Sequence, residues 1–207
     1  GVVVAKKDNR AMSGKVGGAD VLKALGVELD LGPEAVRQCL DEAGIAFLFA
    51  QAFHPAMRHA GPVRRELGVR TVFNLLGPLC NPAGARRQVV GVFADRWLEP
   101  LAGALQRLGS VRALVVHGAD GLDEISLSGA TRVAELRDGE VRRYEIEPER
   151  LGLTRAPLDA LRGGSTDVNA AILDAVLRGE ASPAQMSIAL LNAAAAIYVA
   201  DRAPSLA

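Results

Sequence analysis

Four short apolar runs most constrain the fold: VVVA (2–5), IAFLFA (45–50), RQVVGVFA (87–94) and VRALVVHG (111–118). None shows the strict apolar–polar alternation of a strand with one wet face. Largely continuous runs of this length are the pattern of strands buried on both faces. Helical patterns lie between them. GGADVLKALGVEL (17–29) carries an apolar stripe of Ala19, Val21, Leu22 and Leu25, with Gly26 as a stop. LGPEAVRQCLDEAG (31–44) puts Pro33 in the first turn and Gly44 at the end, the expected asymmetry of a helix. HPAMRHAGPVRRELG (54–68) is helical in pattern but interrupted at Gly61-Pro62, and WLEPLAGALQRLG (97–109) is a fourth helix. Buried strands alternating with amphipathic helices predict an α/β fold: a mainly parallel central sheet with helices on both faces.

The pattern changes after 125. RVAELRDGEVRRYEI holds two alternating runs around Asp138-Gly139, which predicts a small antiparallel hairpin excursion. Two helices follow, DVNAAILDAVLRG (167–179) and SPAQMSIALLNAAAAIYVADRA (182–203), the second with Ser182 as N-cap and Pro183 at its first position. There is no repeat. At 207 residues, with 49% of them apolar, the chain has material for one sizeable core, and 1–207 is expected to form a single α/β domain.

Twenty-four basic residues balance twenty-four acidic ones, which argues against a general nucleic-acid or membrane-surface binder. Cys39 and Cys80 lack the close spacing of a metal pair and are expected to be buried thiols of a reducing compartment. No apolar run of 18 or more residues and no signal peptide is present, so the expected location is cytoplasmic. The chain opens inside an apolar run without an initiator Met and stops soon after a long apolar helix, so a piece of a longer protein is expected.

Three segments resist explanation as packing alone. In VVVAKKDNRAMSGKVGGADVL (2–22), Lys6, Lys7 and Arg10 are expected just beyond a strand's C-terminal end, where open α/β sheets bind ligands. Backbone amides of the small-residue loop and the following helix start suit an anion; an ordinary solvated loop is the alternative. DGLDEIS (120–126) sets Asp120, Asp123 and Glu124 after an apolar strand. Adjacent carboxylates there suit Mg²⁺, which binds through one or two carboxylates plus substrate phosphates; a turn with solvated acids is the alternative. In VRRELGVRTVFNLLGPLCNPAG (63–84), Arg64, Arg65 and Arg70 precede the pairs Gly77-Pro78 and Asn81-Pro82, which are expected to force a rigid turn. An apolar wall beside a guanidinium suits an aromatic carboxylate. His54 and His59 are five apart, which misses the spacing that aligns ligands on a helix, and His54 is expected to cap or pack.

Together these stretches, with LVVHGADGLDE and LLNAAAAIY, resemble the α/β domain of the anthranilate phosphoribosyltransferase family, of the nucleoside phosphorylase-like phosphoribosyltransferase class. The resemblance runs nearly end to end and is gap-free through residue 124. It implies transfer of the phosphoribosyl group from phosphoribosyl pyrophosphate (PRPP) to anthranilate in tryptophan biosynthesis, with Mg²⁺ as cofactor and a homodimer as the full-length assembly. It implies PRPP binding by Lys6, Asn9, Arg10, Ser13, Gly14 and Gly18. Asn9, Arg64, Gly77 and Pro78 would hold anthranilate, and Asp123 and Glu124 would hold Mg²⁺. No residue is singled out as a general base, since the aniline nitrogen needs none.

The departures fall in the opening loop. Lys7 stands where the family has His, Asp8 where it has Gly, and Gly14 and Gly18 where it has Ser. An Asp beside a diphosphate adds repulsion that Lys7 is placed to offset in part. The family's N-terminal helical subdomain, Gly-rich phosphate loop and C-terminal end are not found in the sequence. Two other readings are open. One is a non-catalytic paralogue that binds nucleic acid, favoured by the altered loop and opposed by Arg64, the Asp123–Glu124 pair and the zero net charge. The other is a pyrimidine nucleoside phosphorylase relative, suggested by MSGKVGGAD and opposed by FNLLGPL.

Overall fold

The computed structural model describes residues 1–8, 16–54, 57–69 and 71–206; for Asp8, Met57, Arg58, Arg64 and Arg65 it describes the backbone only. The chain forms two compact units, one of residues 1–84 with 163–174 and one of residues 85–162 with 175–207.

In the first unit, strand β1 (Val4–Asp8) pairs in parallel with β2 (Ile45–Phe49), in the register Val4↔Ile45 to Asp8↔Phe49. Between them run α1 (Gly18–Ala24) and α2 (Pro33–Glu42). Gly26 (φ +85°) and Gly44 (φ +71°) turn the chain after the two helices, as their positions in the sequence require. The apolar run of β2 serves two small cores. Phe49 and Phe47 pack with Ala19, Leu22 and Leu29; Ala46 and Leu48 pack with Val36, Leu40 and Phe53. Alternate residues of one strand thus face different helices, which is why the run has no polar member. After β2 come α3 (Ala50–Phe53), α4 (Met57–Leu67) and α5 (Phe73–Leu79).

Three expectations for this unit need correction. The first strand begins at Val4 and continues through Lys6 and Lys7, because its partner β2 is there to pair with them. The two lysines therefore stand within the strand, on opposite faces, and do not follow its end. Gly61-Pro62 does not interrupt its helix, and Pro62 lies inside α4. Gly77-Pro78 forms no turn either: both belong to α5, with Pro78 next to last in a seven-residue helix. Only Asn81-Pro82 turns, and there the Asn81 side chain accepts from the Ala83 amide at 3.0 Å.

In the second unit, β3 (Arg87–Gly91), α6 (Leu98–Arg107) and β4 (Arg112–Gly118) make a strand–helix–strand crossover, so β3 and β4 pair in parallel. The strands β5 (Thr131–Arg137) and β6 (Glu140–Ile146) extend the same sheet in the order β3-β4-β5-β6. Their hairpin turns at Asp138 (φ +52°) and Gly139 (φ +78°), as the Asp-Gly pair predicts. The α/β class stands, but the expected mainly parallel central sheet does not: this sheet is mixed, with one parallel and two antiparallel pairings, because the hairpin is built into it and is no excursion. Val133, Ala134 and Leu136 are wholly or almost wholly buried, so β5 is an interior strand and pairs antiparallel with β4 along all seven of its residues. Helices cover both faces of this sheet. Leu114 and Val116 of β4 pack with Leu191, Ala195 and Val199 of α8 (Pro183–Val199). Ala113 and Val115 point the other way, where α6 lies against β4 and β5 with Leu98, Leu101, Ala102 and Leu105 buried.

Helix α7 (Thr166–Arg178) precedes α8, whose Ser182 accepts from the Gln185 amide while the Gln185 side chain accepts from the Ser182 amide. Among the described residues, no single helix is long and apolar enough to cross a membrane. Both cysteines are free, but Cys80 is exposed and Cys39 only half-buried, against the expectation of two buried thiols.

Candidate active site

The acidic segment sits at the C-terminal end of β4, and its loop is held at several points. Gly118 donates to the Leu122 carbonyl at 2.8 Å and Gly121 to the Gly118 carbonyl at 2.9 Å, closing a tight turn. Asp120 does not reach outward. One of its carboxylate oxygens accepts from the Leu122 amide at 3.1 Å and the other from the Ser126 hydroxyl. The Ser126 hydroxyl in turn accepts from the Ser128 amide at 2.9 Å, and the Ser126 amide donates to Thr131 Oγ1 at 2.9 Å. Ser126 and Thr131 are fully buried, so this polar chain is internal bracing.

Asn192 of α8 holds the other side. Its Oδ1 accepts from the Ile125 amide at 3.0 Å, and its Nδ2 donates to the Ile125 carbonyl at 2.9 Å and the Ile188 carbonyl at 3.0 Å. The sequence reading assigned no role to this residue. Its signal was a lone amide in the apolar stretch LLNAAAAIY, where a polar side chain needs a partner.

Asp123 and Glu124 are left exposed at the loop's crest. They are adjacent hard oxygen donors, and that donor set fits Mg²⁺ held with substrate phosphates. No three His, Cys, Asp or Glu side chains gather to enclose a metal among the described residues. Any ion here would complete its shell with ligand oxygens and water.

In the first unit, Lys6 is exposed on β1 and Gly18 opens α1. Gly77 and Pro78 are half-buried in α5. Asn9, Arg10, Ser13 and Gly14 lie outside the described residues, as does the side chain of Arg64, whose backbone belongs to α4. Arg70 lies outside them too.

Lys7 has a different task from the one its sequence position suggested. Its Nζ donates to the Gly77 carbonyl at 2.7 Å and the Cys80 carbonyl at 3.3 Å. A cation at the C-terminal end of a helix is favoured by the unpaired carbonyls and the dipole. The ammonium is therefore turned toward α5, tying β1 to the Gly77-Pro78 segment. Burial pushes the Lys7 pKa below its usual value, with Cys80 opposing. His54, at the end of α3, shares this corner, and its Nε2 is buried without a hydrogen-bond partner. Burial lowers the His54 pKa, the Lys7 charge lowers it further, and the Cys80 backbone opposes.

Residues 1–207 match the family model for the glycosyl transferase family, a/b domain. The chain belongs to that family. It is 60% identical over 206 residues to the anthranilate phosphoribosyltransferase of Azorhizobium caulinodans, covering all of this chain and 60% of that relative. Among solved structures, the anthranilate phosphoribosyltransferase of Thermus thermophilus superposes with a TM-score of 0.92 at 54% identity, over 100% of this chain and 61% of that one. The Saccharomyces cerevisiae enzyme in complex with PRPP and Mg superposes with a TM-score of 0.86 at 28% identity, over 95% of this chain and 55% of that one. The chain thus spans about three-fifths of the length of the curated relatives it matches. Membership in a glycosyltransferase family accords with the resemblance read from the sequence, and the similarities favour neither the nucleic-acid-binding paralogue nor the pyrimidine nucleoside phosphorylase relative.

Proposed function

We propose that the protein containing this chain transfers the phosphoribosyl group of PRPP to anthranilate, giving N-(5-phosphoribosyl)anthranilate and diphosphate, with residues 1–207 as its α/β domain. The observation that carries this reading is the similarity along the whole chain, at 60% identity, to an anthranilate phosphoribosyltransferase. The braced Asp123–Glu124 loop supports it, because it offers two hard donors on a rigid base.

In this reading Asp123 and Glu124 hold Mg²⁺, which when bound offsets charge on the departing diphosphate. Lys6, with Asn9, Arg10, Ser13, Gly14 and Gly18, surrounds the PRPP diphosphate. Asn9 and Arg64 hold anthranilate against Gly77 and Pro78. The bond from ribose C1 to the diphosphate oxygen breaks with its electron pair leaving on the diphosphate. The anthranilate nitrogen then bonds to C1 and gives up a proton to solvent or to the leaving group. No strong base is needed, so the residues contribute position and charge stabilisation. Lys7 holds the acceptor wall through Gly77 and leaves the diphosphate to Lys6. The full-length enzyme is a cytoplasmic homodimer in this proposal.

Calorimetry of the intact protein tests it. PRPP with Mg²⁺ should bind first and anthranilate should then bind the loaded protein. Absence of any heat with PRPP across a Mg²⁺ series would refute the reading.

A further inference from the structure

We infer that Gly91, at the end of β3, is a positioning residue for the Asp123–Glu124 pair; the inference rests on the metal role proposed above. Gly91 has ordinary strand geometry, with no positive φ, so its backbone would accept any residue. What it lacks is room. A Cβ built there would overlap the Asp123 carbonyl oxygen, lie 2.5 Å from the Asp123 carbonyl carbon and 3.1 Å from its Cβ, where real Cβ atoms essentially never come within 3.0 Å of a neighbour. The backbone of the metal-binding residue therefore rests directly on the backbone of β3, a contact only glycine permits.

The rest of the loop shows the same close fit. A Cβ on Gly118 would overlap the Asp120 carboxylate and lie 3.2 Å from Ser126 Cβ. Asp120 and Ser126 lock the turn, and Asn192 fixes Ile125, the residue after Glu124. The crest is thus seated on β3 and braced from its own interior and from α8. The two exposed carboxylates belong to a loop held on three sides.

An alanine at 91 forces the Asp123 carbonyl carbon back by at least half an ångström, from 2.5 Å to 3.0 Å, and its oxygen by more. Loss of a group that orients metal ligands costs about 10–100-fold in metal affinity. Gly91→Ala in the full-length protein should raise the Mg²⁺ concentration for half-maximal PRPP binding by that factor, read by calorimetry. Enhancement of water-proton relaxation by Mn²⁺ plus PRPP should weaken in parallel, whereas the anthranilate KM at saturating Mg²⁺ and PRPP should stay as it is. A merely structural role would lower the melting temperature and leave the Mg²⁺ requirement alone.

Asp123→Asn with Glu124→Gln is the reference. If that double change weakens Mg²⁺-dependent binding and Gly91→Ala leaves it unchanged, the inference is overturned and the metal assignment stands. If the double change itself has no effect, both fall. Should Gly91→Ala not fold, Ser126→Ala loosens the same loop by removing one of the two partners of the Asp120 carboxylate, without adding an atom. It should raise the Mg²⁺ requirement severalfold, and an unchanged requirement overturns the inference.

Discussion

Replacing Asn192 by alanine leaves the Ile125 amide and the Ile125 carbonyl without their partners, at a residue with no exposed surface. Each buried backbone group left unpaired costs about 1–3 kcal/mol. Asn192 itself is half-buried, so water can reach part of the vacated space and the total should lie toward the lower end, about 2–4 kcal/mol. In a domain of this length that corresponds to about 4–16 °C in Tm. Urea denaturation followed by circular dichroism, comparing midpoints at equal slope, measures it. Asn192→Asp separates the two halves of the contact. The carboxylate still accepts from the Ile125 amide but cannot donate to the Ile125 and Ile188 carbonyls. It should therefore be no better than alanine. A loss below about 0.5 kcal/mol for Asn192→Ala, the size of an ordinary surface change, would refute the claim that this amide pins the acidic loop to α8.

Other consequences are equally specific. Gly139 has nothing within 4 Å of a built Cβ and a φ of +78°, so Gly139→Ala should destabilise through conformation alone, by about 1–2 kcal/mol in urea melts. Tyr198→Phe removes a hydrogen bond of 2.8 Å to the buried Glu135 carboxylate and should cost about 1.5–3 kcal/mol in the same assay. Burial pushes the Asp201 carboxyl up, but Arg112 and Arg87 outweigh it and hold the pKa below the usual 3.8. That stabilisation is complete above the unfolded value and is lost as pH falls through the folded one. Asp201→Asn should therefore flatten the acid limb of stability below pH 3.8 and leave its slope at neutral pH unchanged. Arg64→Ala should raise the anthranilate KM about tenfold or more, with PRPP affinity unmoved, if a charge-assisted hydrogen bond is lost.

The strands and helices were legible because burial leaves a periodic record. The runs at 45–50 and 111–118 became β2 and β4, and Gly26, Gly44 and Asp138-Gly139 marked the turns they occupy. What the sequence hid was set by partners distant in the chain. Lys6 and Lys7 became strand residues because β2 lies beside them, and Lys7 turned to carbonyls 70 and 73 positions away. Gly77-Pro78 sits in a helix because a proline next to the end of a seven-residue helix forfeits only one late bond. Asp123 and Glu124 could be picked out as adjacent carboxylates after a strand. That Asp120 is a brace and Gly91 a seat could not, since both facts depend on contacts made only in three dimensions.

Phosphoribosyl transfer itself is the most direct test. Anthranilate fluorescence should fall when the full-length protein is mixed with anthranilate, PRPP and Mg²⁺, with one diphosphate released per anthranilate consumed, and chelation of Mg²⁺ should stop the reaction. Persistent fluorescence with every component present, in protein that is folded by circular dichroism, would contradict the proposed activity.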